Sequence, residues 1–66
     1  MGFNKRFVDR EIIMESLDND WPLSKLFSSD ALIFLDNFST NIYEQYAKGI
    51  EDNEIKNLIN DGELRQ

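Results

Sequence analysis

The sequence predicts an all-α protein, a small irregular bundle of three to four helices with one long central helix over about residues 30–48. Two observations predict this class. Apolar residues recur at helical spacing through the long segment, and Pro22, Gly49 and Gly62 divide the chain into pieces of helical length. With 66 residues the chain has room for one domain, which we expect to span residues 1–66 with frayed ends at 1–6 and 63–66.

The first predicted helix begins after Asp9 and ends near Leu17 or Asp18. Asp9 has the short acidic side chain favoured at an N-cap, and Glu11 places a negative charge in the first turn, where it suits the helix dipole. The helix must end before Trp21, because a residue that precedes proline is pushed out of the helical conformation.

A stripe of acidic residues runs along this first helix. Glu11, Glu15 and Asp18 are spaced four and three apart, so they share one face. Apolar side chains lie on both sides of the stripe, which predicts a helix buried on two sides or one that carries a side into an interface. These flanking residues are Val8 and Ile12 on one side and Ile13, Met14 and Leu17 on the other.

The second predicted helix is short and begins at Pro22. Proline suits the first position of a helix, where its missing N–H is not needed. Leu23, Leu26 and Phe27 then share one face. Trp21, in the turn before this helix, either covers the core or stands out as an anchor for a partner.

The long central helix is predicted from an apolar arc about half a turn wide. Ser29 is its expected N-cap, Asp30 suits the N-terminal end of the dipole, and Gly49 fits the left-handed position after the last turn. Ile33 falls among polar residues on the opposite side, so the arc leaves it unexplained. The arc contains Ala31, Leu32, Phe34, Leu35, Phe38, Ile42, Tyr43 and Tyr46.

A fourth helix is predicted after Gly49. Acidic residues stand at its start, where they suit the helix dipole. Ile55, Leu58 and Ile59 form a narrow apolar stripe, and Gly62 is its expected stop.

The composition argues against most catalytic and metal chemistry. The chain has neither cysteine nor histidine, which removes thiolate and imidazole as nucleophile, general base or zinc ligand. Its acidic clusters do not match the ligand spacing of an EF-hand loop, and its three glycines form no phosphate-binding motif. We therefore expect no enzymatic activity, no cofactor and no bound metal.

The apolar runs of the chain are short. The longest, over residues 31–35, is far below the ~20 residues that cross a bilayer, and the first residues lack the apolar region of a secretory signal. We expect a soluble, cytoplasmic protein without membrane association.

Charge favours a binding function. Thirteen acidic against seven basic residues leave a net charge of −6, which favours basic partners and opposes contact with phosphate. We predict a small acidic module that binds another protein, as an inhibitor or adaptor that blocks a basic or nucleic-acid-binding surface. Mimicry of DNA by suitably spaced acids is a special case. The predicted contact residues are Glu11, Glu15, Asp18, Trp21 and Ile33.

Self-association is the alternative. A spare apolar face on the first or third helix would then be covered by a second copy, in a homodimer. Direct nucleic-acid binding through Lys5, Arg6 and Arg10 is the least favoured hypothesis, because the net charge of the chain repels phosphate.

Overall fold

The computed structural model describes residues 5–62 and shows two parallel β-strands together with four α-helices. In chain order the elements are β1 (Lys5–Val8), α1 (Arg10–Asp18), α2 (Leu23–Leu26), β2 (Ala31–Phe34), α3 (Asn37–Ala47) and α4 (Asp52–Asn60). The fold is mixed α/β, so the prediction of an all-α bundle is wrong. Helices α1 and α2 form the crossover that two parallel strands require.

The predicted long helix over residues 30–48 is two elements in the structure. Ala31–Phe34 forms β2, and α3 begins only at Asn37. β2 pairs in parallel with β1, with Lys5 opposite Ala31 and Val8 opposite Phe34. Pairing with a strand far away in the sequence therefore overrides the helical spacing. That spacing arose by coincidence, because an apolar strand directly precedes an amphipathic helix.

Asp36 is the residue that starts α3. Its carboxylate accepts hydrogen bonds from the backbone N–H of Ser39 at 2.8 Å and from the backbone N–H of Arg10 at 3.0 Å. One side chain therefore caps α3 and ties the first residue of α1 to it. Ser29 and Asp30, which were expected to start the long helix, precede β2 instead.

The two faces of the sheet differ in what covers them. Paired residues share a face, and side chains alternate between faces along each strand. Val8 is fully buried, and Leu32 and Phe34 pack against the core, so the helices cover this face. The opposite face, called the outer face below, carries Lys5, Phe7, Ala31 and Ile33.

Most of the other predicted helix boundaries are confirmed. Asp9 caps α1 by accepting a hydrogen bond from the N–H of Ile12 at 2.9 Å, and α1 ends at Asp18. Pro22 is the N-cap of α2 rather than its first helical residue. α4 ends just before Gly62, which has the left-handed conformation expected of a helix stop.

The core lies between the covered face of the sheet and the helices. An aromatic cluster extends it, with the ring centroid of Phe27 lying 5.1 Å from that of Tyr43 and 5.2 Å from that of Tyr46. Large rings supply much buried area to a chain of this size. The buried apolar residues are Val8, Ile13, Leu17, Leu23, Leu26, Phe27, Phe38, Ile42 and Ile55.

The frayed ends predicted at 1–6 and 63–66 fall mostly outside the described residues. Lys5 and Arg6 are described and form the first half of β1. The single domain over residues 1–66 stays a prediction.

Candidate functional site

The candidate site is built on the turn that ends α1. Asp20 has a backbone φ of 57°, the left-handed conformation that ends many helices. The N–H of Trp21 donates to the carbonyl of Ser16 at 2.8 Å, and the N–H of Asp20 donates to the carbonyl of Leu17 at 3.3 Å. These two hydrogen bonds define a Schellman motif, and they fold Trp21 back against the last turns of α1.

Helices α3 and α4 end with the same left-handed backbone, but there the residue is glycine. Gly49 has a φ of 93° and Gly62 a φ of 79°. Glycine adopts this conformation without steric cost, whereas the Cβ of any other residue makes it unfavourable. α1 therefore carries a charged side chain at a position where the two later helices have glycine.

Trp21 lies between two open grooves and is 40% exposed. The first, called the helix groove, has a volume of about 310 Å³ and is lined by Glu15, Ser16, Asn19 and Trp21. The second, called the α4 groove, has a volume of about 180 Å³. It is lined by Leu17, Asp20, Trp21, Pro22, Asp52, Asn53 and Lys56. A ligand in either groove would contact the indole.

Two of the three charged residues that line the α4 groove, Asp52 and Lys56, have hydrogen-bond partners within the chain. The Asp52 carboxylate accepts a hydrogen bond from the N–H of Leu23 at 3.0 Å, which caps α2. Lys56 Nζ donates to the carbonyl of Leu17 at 3.5 Å, near the C-terminal end of α1. This groove therefore belongs mainly to the packing of α4 against α1 and α2.

The helix groove offers an exposed negative charge. Glu15 is exposed on α1, Asn19 adds an amide oxygen, and Trp21 adds the face of its indole. None of the residues that line this groove is basic. A cation placed here would interact with both the carboxylate and the aromatic ring, so the groove favours lysine or arginine side chains.

The structure brings together two of the five residues predicted to contact a partner. Glu15 and Trp21 line the helix groove. Glu11 and Asp18 are exposed on the same helix, but they line neither groove. Ile33 lies on the outer face of the sheet, so its predicted place on a helix, opposite the apolar arc, is wrong.

Asp20 is a site residue that the sequence reasoning missed. The signal was present in the stretch from Asp18 to Asp20, which follows the first helix and precedes Trp21 and Pro22. After glycine, Asn and Asp are the residues that best tolerate the left-handed conformation. A helix that stops at residue 18 without a glycine nearby therefore indicates that Asn19 or Asp20 has this conformation.

Among residues 5–62, no group of three or more acidic side chains is placed to hold a metal ion. No helix in this part of the chain combines the length and apolarity needed to cross a bilayer. The hydrogen bond from the N–H of Ser39 lowers the pKa of Asp36 below its ordinary value, but this carboxylate is engaged as a helix cap.

Comparison with known proteins adds no assignment. No family model, curated protein or solved structure matches the chain. Only the geometry and chemistry of the site therefore bear on function.

Proposed function

We propose that the chain is a protein-binding module whose helix groove takes a lysine or arginine side chain of a basic partner. The observation that carries the proposal is that an exposed tryptophan, Trp21, and an acidic residue, Glu15, line the same groove. A cation over an indole is attracted by the negative face of the ring. The nearby carboxylate adds a charge-assisted hydrogen bond.

The turn at Asp20 supports this proposal because it holds Trp21 in place. The two backbone hydrogen bonds of the Schellman motif fix the main chain before a partner arrives. A preorganised contact residue loses little conformational freedom on binding, and more of the contact energy then remains as affinity.

The charges around the groove support the same class of partner. Glu11 and Asp18 are exposed on α1 on either side of Glu15 along the chain, and the whole chain carries a net charge of −6. Such charges chiefly raise the rate of association with a basic surface and suppress binding to acidic ones. The bound module would then block that surface, and it would act as a DNA mimic where the surface normally binds nucleic acid.

Tryptophan fluorescence tests the proposal directly, because Trp21 is the single tryptophan of the chain. The probe is a short peptide of arginine, lysine and glycine, and an acidic peptide of equal length is the control. We expect a saturable change in emission with the basic peptide only. Affinity should fall by about tenfold between about 20 mM and about 300 mM NaCl, because salt screens the attraction.

Three substitutions test which residues contact the basic peptide. Glu15→Gln should weaken binding by about 3- to 10-fold, and Asp20→Asn should weaken it less, because Asp20 lines the adjacent groove. Glu44→Gln is the matched control, since Glu44 is exposed on α3 and lines neither groove. An unchanged emission spectrum with the basic peptide, or equal effects of all three variants, would refute the proposed site.

A further inference from the structure

The outer face of the sheet is apolar and open to contact. Phe7 is 53% exposed, and Leu35, which continues the alternation of β2 beyond its last residue, is 58% exposed. Ala31 and Ile33, on the same face, are partly exposed. Large exposed apolar side chains that form one continuous patch, rather than scattered single residues, mark an interaction surface.

An uncovered apolar face is unusual for a parallel sheet. Strands in parallel pairs are normally covered on both faces, and they therefore read as continuous apolar runs. The run from Ala31 to Leu35 has this character, but the helices cover only the face of Val8, Leu32 and Phe34. The sequence of β2 is thus typical of a strand that is covered on both faces, whereas the described residues cover only one of its faces.

We propose that a second copy of this chain covers the outer face, in a dimer with its two-fold axis parallel to the strands. This inference is independent of the helix groove. The axis places β1 of each copy over β2 of the other, with the two strands running in the same direction. Because Phe7 pairs with Ile33 within one copy, each Phe7 then lies over Ile33 of the second copy.

Charge complementarity favours this arrangement. Lys5 pairs with Ala31 within one copy, and the exposed Asp30 directly precedes Ala31. In the proposed dimer Lys5 of each copy therefore lies over the strand end that carries Asp30 of the other. The patch is complementary to itself, as a two-fold interface requires, although the chain as a whole carries a net charge of −6.

The size of the patch predicts a weak dimer. A standard stable interface buries about 800 Å² on each partner, and a pair of four-residue strands supplies less. We expect a dissociation constant in the micromolar range or above, with monomer and dimer in exchange. The outer face would then be covered or free according to protein concentration.

Sedimentation equilibrium from about 10 μM to about 1 mM tests the dimer. We expect the mean mass to rise with concentration toward twice the monomer mass. A double variant, Phe7→Ser with Leu35→Ser, should stay monomeric with an unchanged far-UV circular dichroism spectrum, since both side chains are largely exposed. A wild-type chain that is monomeric up to the highest concentration would overturn the proposal, and so would a double variant that still dimerises.

A charge exchange tests the register of the two copies. Lys5→Glu and Asp30→Lys should each weaken self-association, because each puts like charges opposite one another. Mixing the two variants should restore dimers, since in the mixed dimer residue 5 of each copy again lies near a residue 30 of opposite charge. Lys25→Glu mixed with Glu44→Lys has the same kinds of charge change at exposed positions outside the outer face. Equal behaviour of the two mixtures would overturn the proposed register.

Discussion

Asp36 connects the starts of two helices through a single carboxylate. Replacing it with alanine removes the hydrogen bonds from the N–H groups of Ser39 and Arg10, and loss of an N-cap alone costs about 1 kcal/mol. We expect Asp36→Ala to lower the free energy of unfolding in urea by about 1–2 kcal/mol. Glu44→Gln is the control, because Glu44 is exposed within α3 and caps no helix, and it should change stability by less than about 0.5 kcal/mol.

The same carboxylate makes stability depend on pH. The pKa of Asp36 is lowered from its ordinary value of 3.8 in the folded chain, so the unfolded chain binds more protons in acid. The contribution of Asp36 is complete above 3.8 and is lost as the pH falls through its lower folded value. The wild type should therefore lose stability more steeply than Asp36→Ala below about pH 4. Identical slopes would contradict the assignment.

The left-handed backbone of Asp20 has a conformational free-energy cost that a substitution can measure. Its φ of 57° favours glycine, so Asp20→Gly should raise the free energy of unfolding by about 0.5–1 kcal/mol. It should also weaken binding of the basic peptide, because it removes an acidic side chain from the groove that Asp20 shares with Trp21. The reciprocal control is Gly49→Ala. The added Cβ would meet nothing within 4 Å, so the expected destabilisation comes from the φ of 93° alone.

At the scale of elements, one substitution in β2 can distinguish a strand from a helix by whether it raises or lowers the free energy of unfolding. Valine is favoured over alanine in a strand, by a few tenths of a kcal/mol or more, and disfavoured in a helix by about 0.5 kcal/mol. Ala31→Val should therefore keep or raise the free energy of unfolding. Ala47→Val, at an exposed position in the last turn of α3, should lower it. Destabilisation by both substitutions would favour the long helix over residues 30–48.

The helices could be predicted from sequence because their signals are local. The Asp9 cap, the Trp21-Pro22 stop and the terminal Gly49 and Gly62 act within a few residues of the helix end that they define. Each of these signals lies at a helix end, as expected. Their effect does not depend on the rest of the fold.

The strands could not be predicted in the same way because their partner is distant. Lys5–Val8 is too short and too charged to read as a strand without Ala31–Phe34 beside it. β2 shows no alternation, because its outer face is as apolar as its covered face. One local signal was available in Asp36, followed by Ser39 and Thr40. These polar residues suit the first turn of a helix better than its middle, and Asp36 does cap α3.

At the scale of the whole molecule, the negative net charge of −6 opposes the compact state. Among the described acids, Asp9, Asp36 and Asp52 accept hydrogen bonds from backbone N–H groups rather than from lysine or arginine side chains. We expect the melting temperature to be higher in about 300 mM than in about 10 mM NaCl, because salt screens the repulsion.

A charge-reduced variant controls for other effects of salt. Glu44→Lys and Glu54→Lys change two exposed positions, and each substitution replaces a negative with a positive charge, which makes the net charge less negative by two. The double variant should show a smaller salt dependence than the wild type. A melting temperature that falls with salt in the wild type would mean that attractive pairs dominate.

The candidate site was predictable in part. Sequence spacing places Glu15 on the exposed stripe of α1, and the following proline isolates Trp21 in a turn. Which acids reach the indole depends on the path of the turn, and the left-handed Asp20 decides that path. The prediction of Ile33 as a contact residue depended on a helix that does not form. Ile33 instead lies on the outer face of the sheet, together with the exposed side chains of Phe7 and Leu35.

The parallel order of β1 and β2 has a kinetic consequence. Neither strand can form a ladder until the whole crossover between Val8 and Ala31 has closed, and closing a loop of that length costs chain entropy before any ladder bond is made. Helices α3 and α4 meet across a short connection instead. The two-stranded sheet should therefore be completed after the barrier to folding has been crossed. Changes within it, at Phe7 or Ile33, should speed unfolding and leave the refolding rate nearly constant.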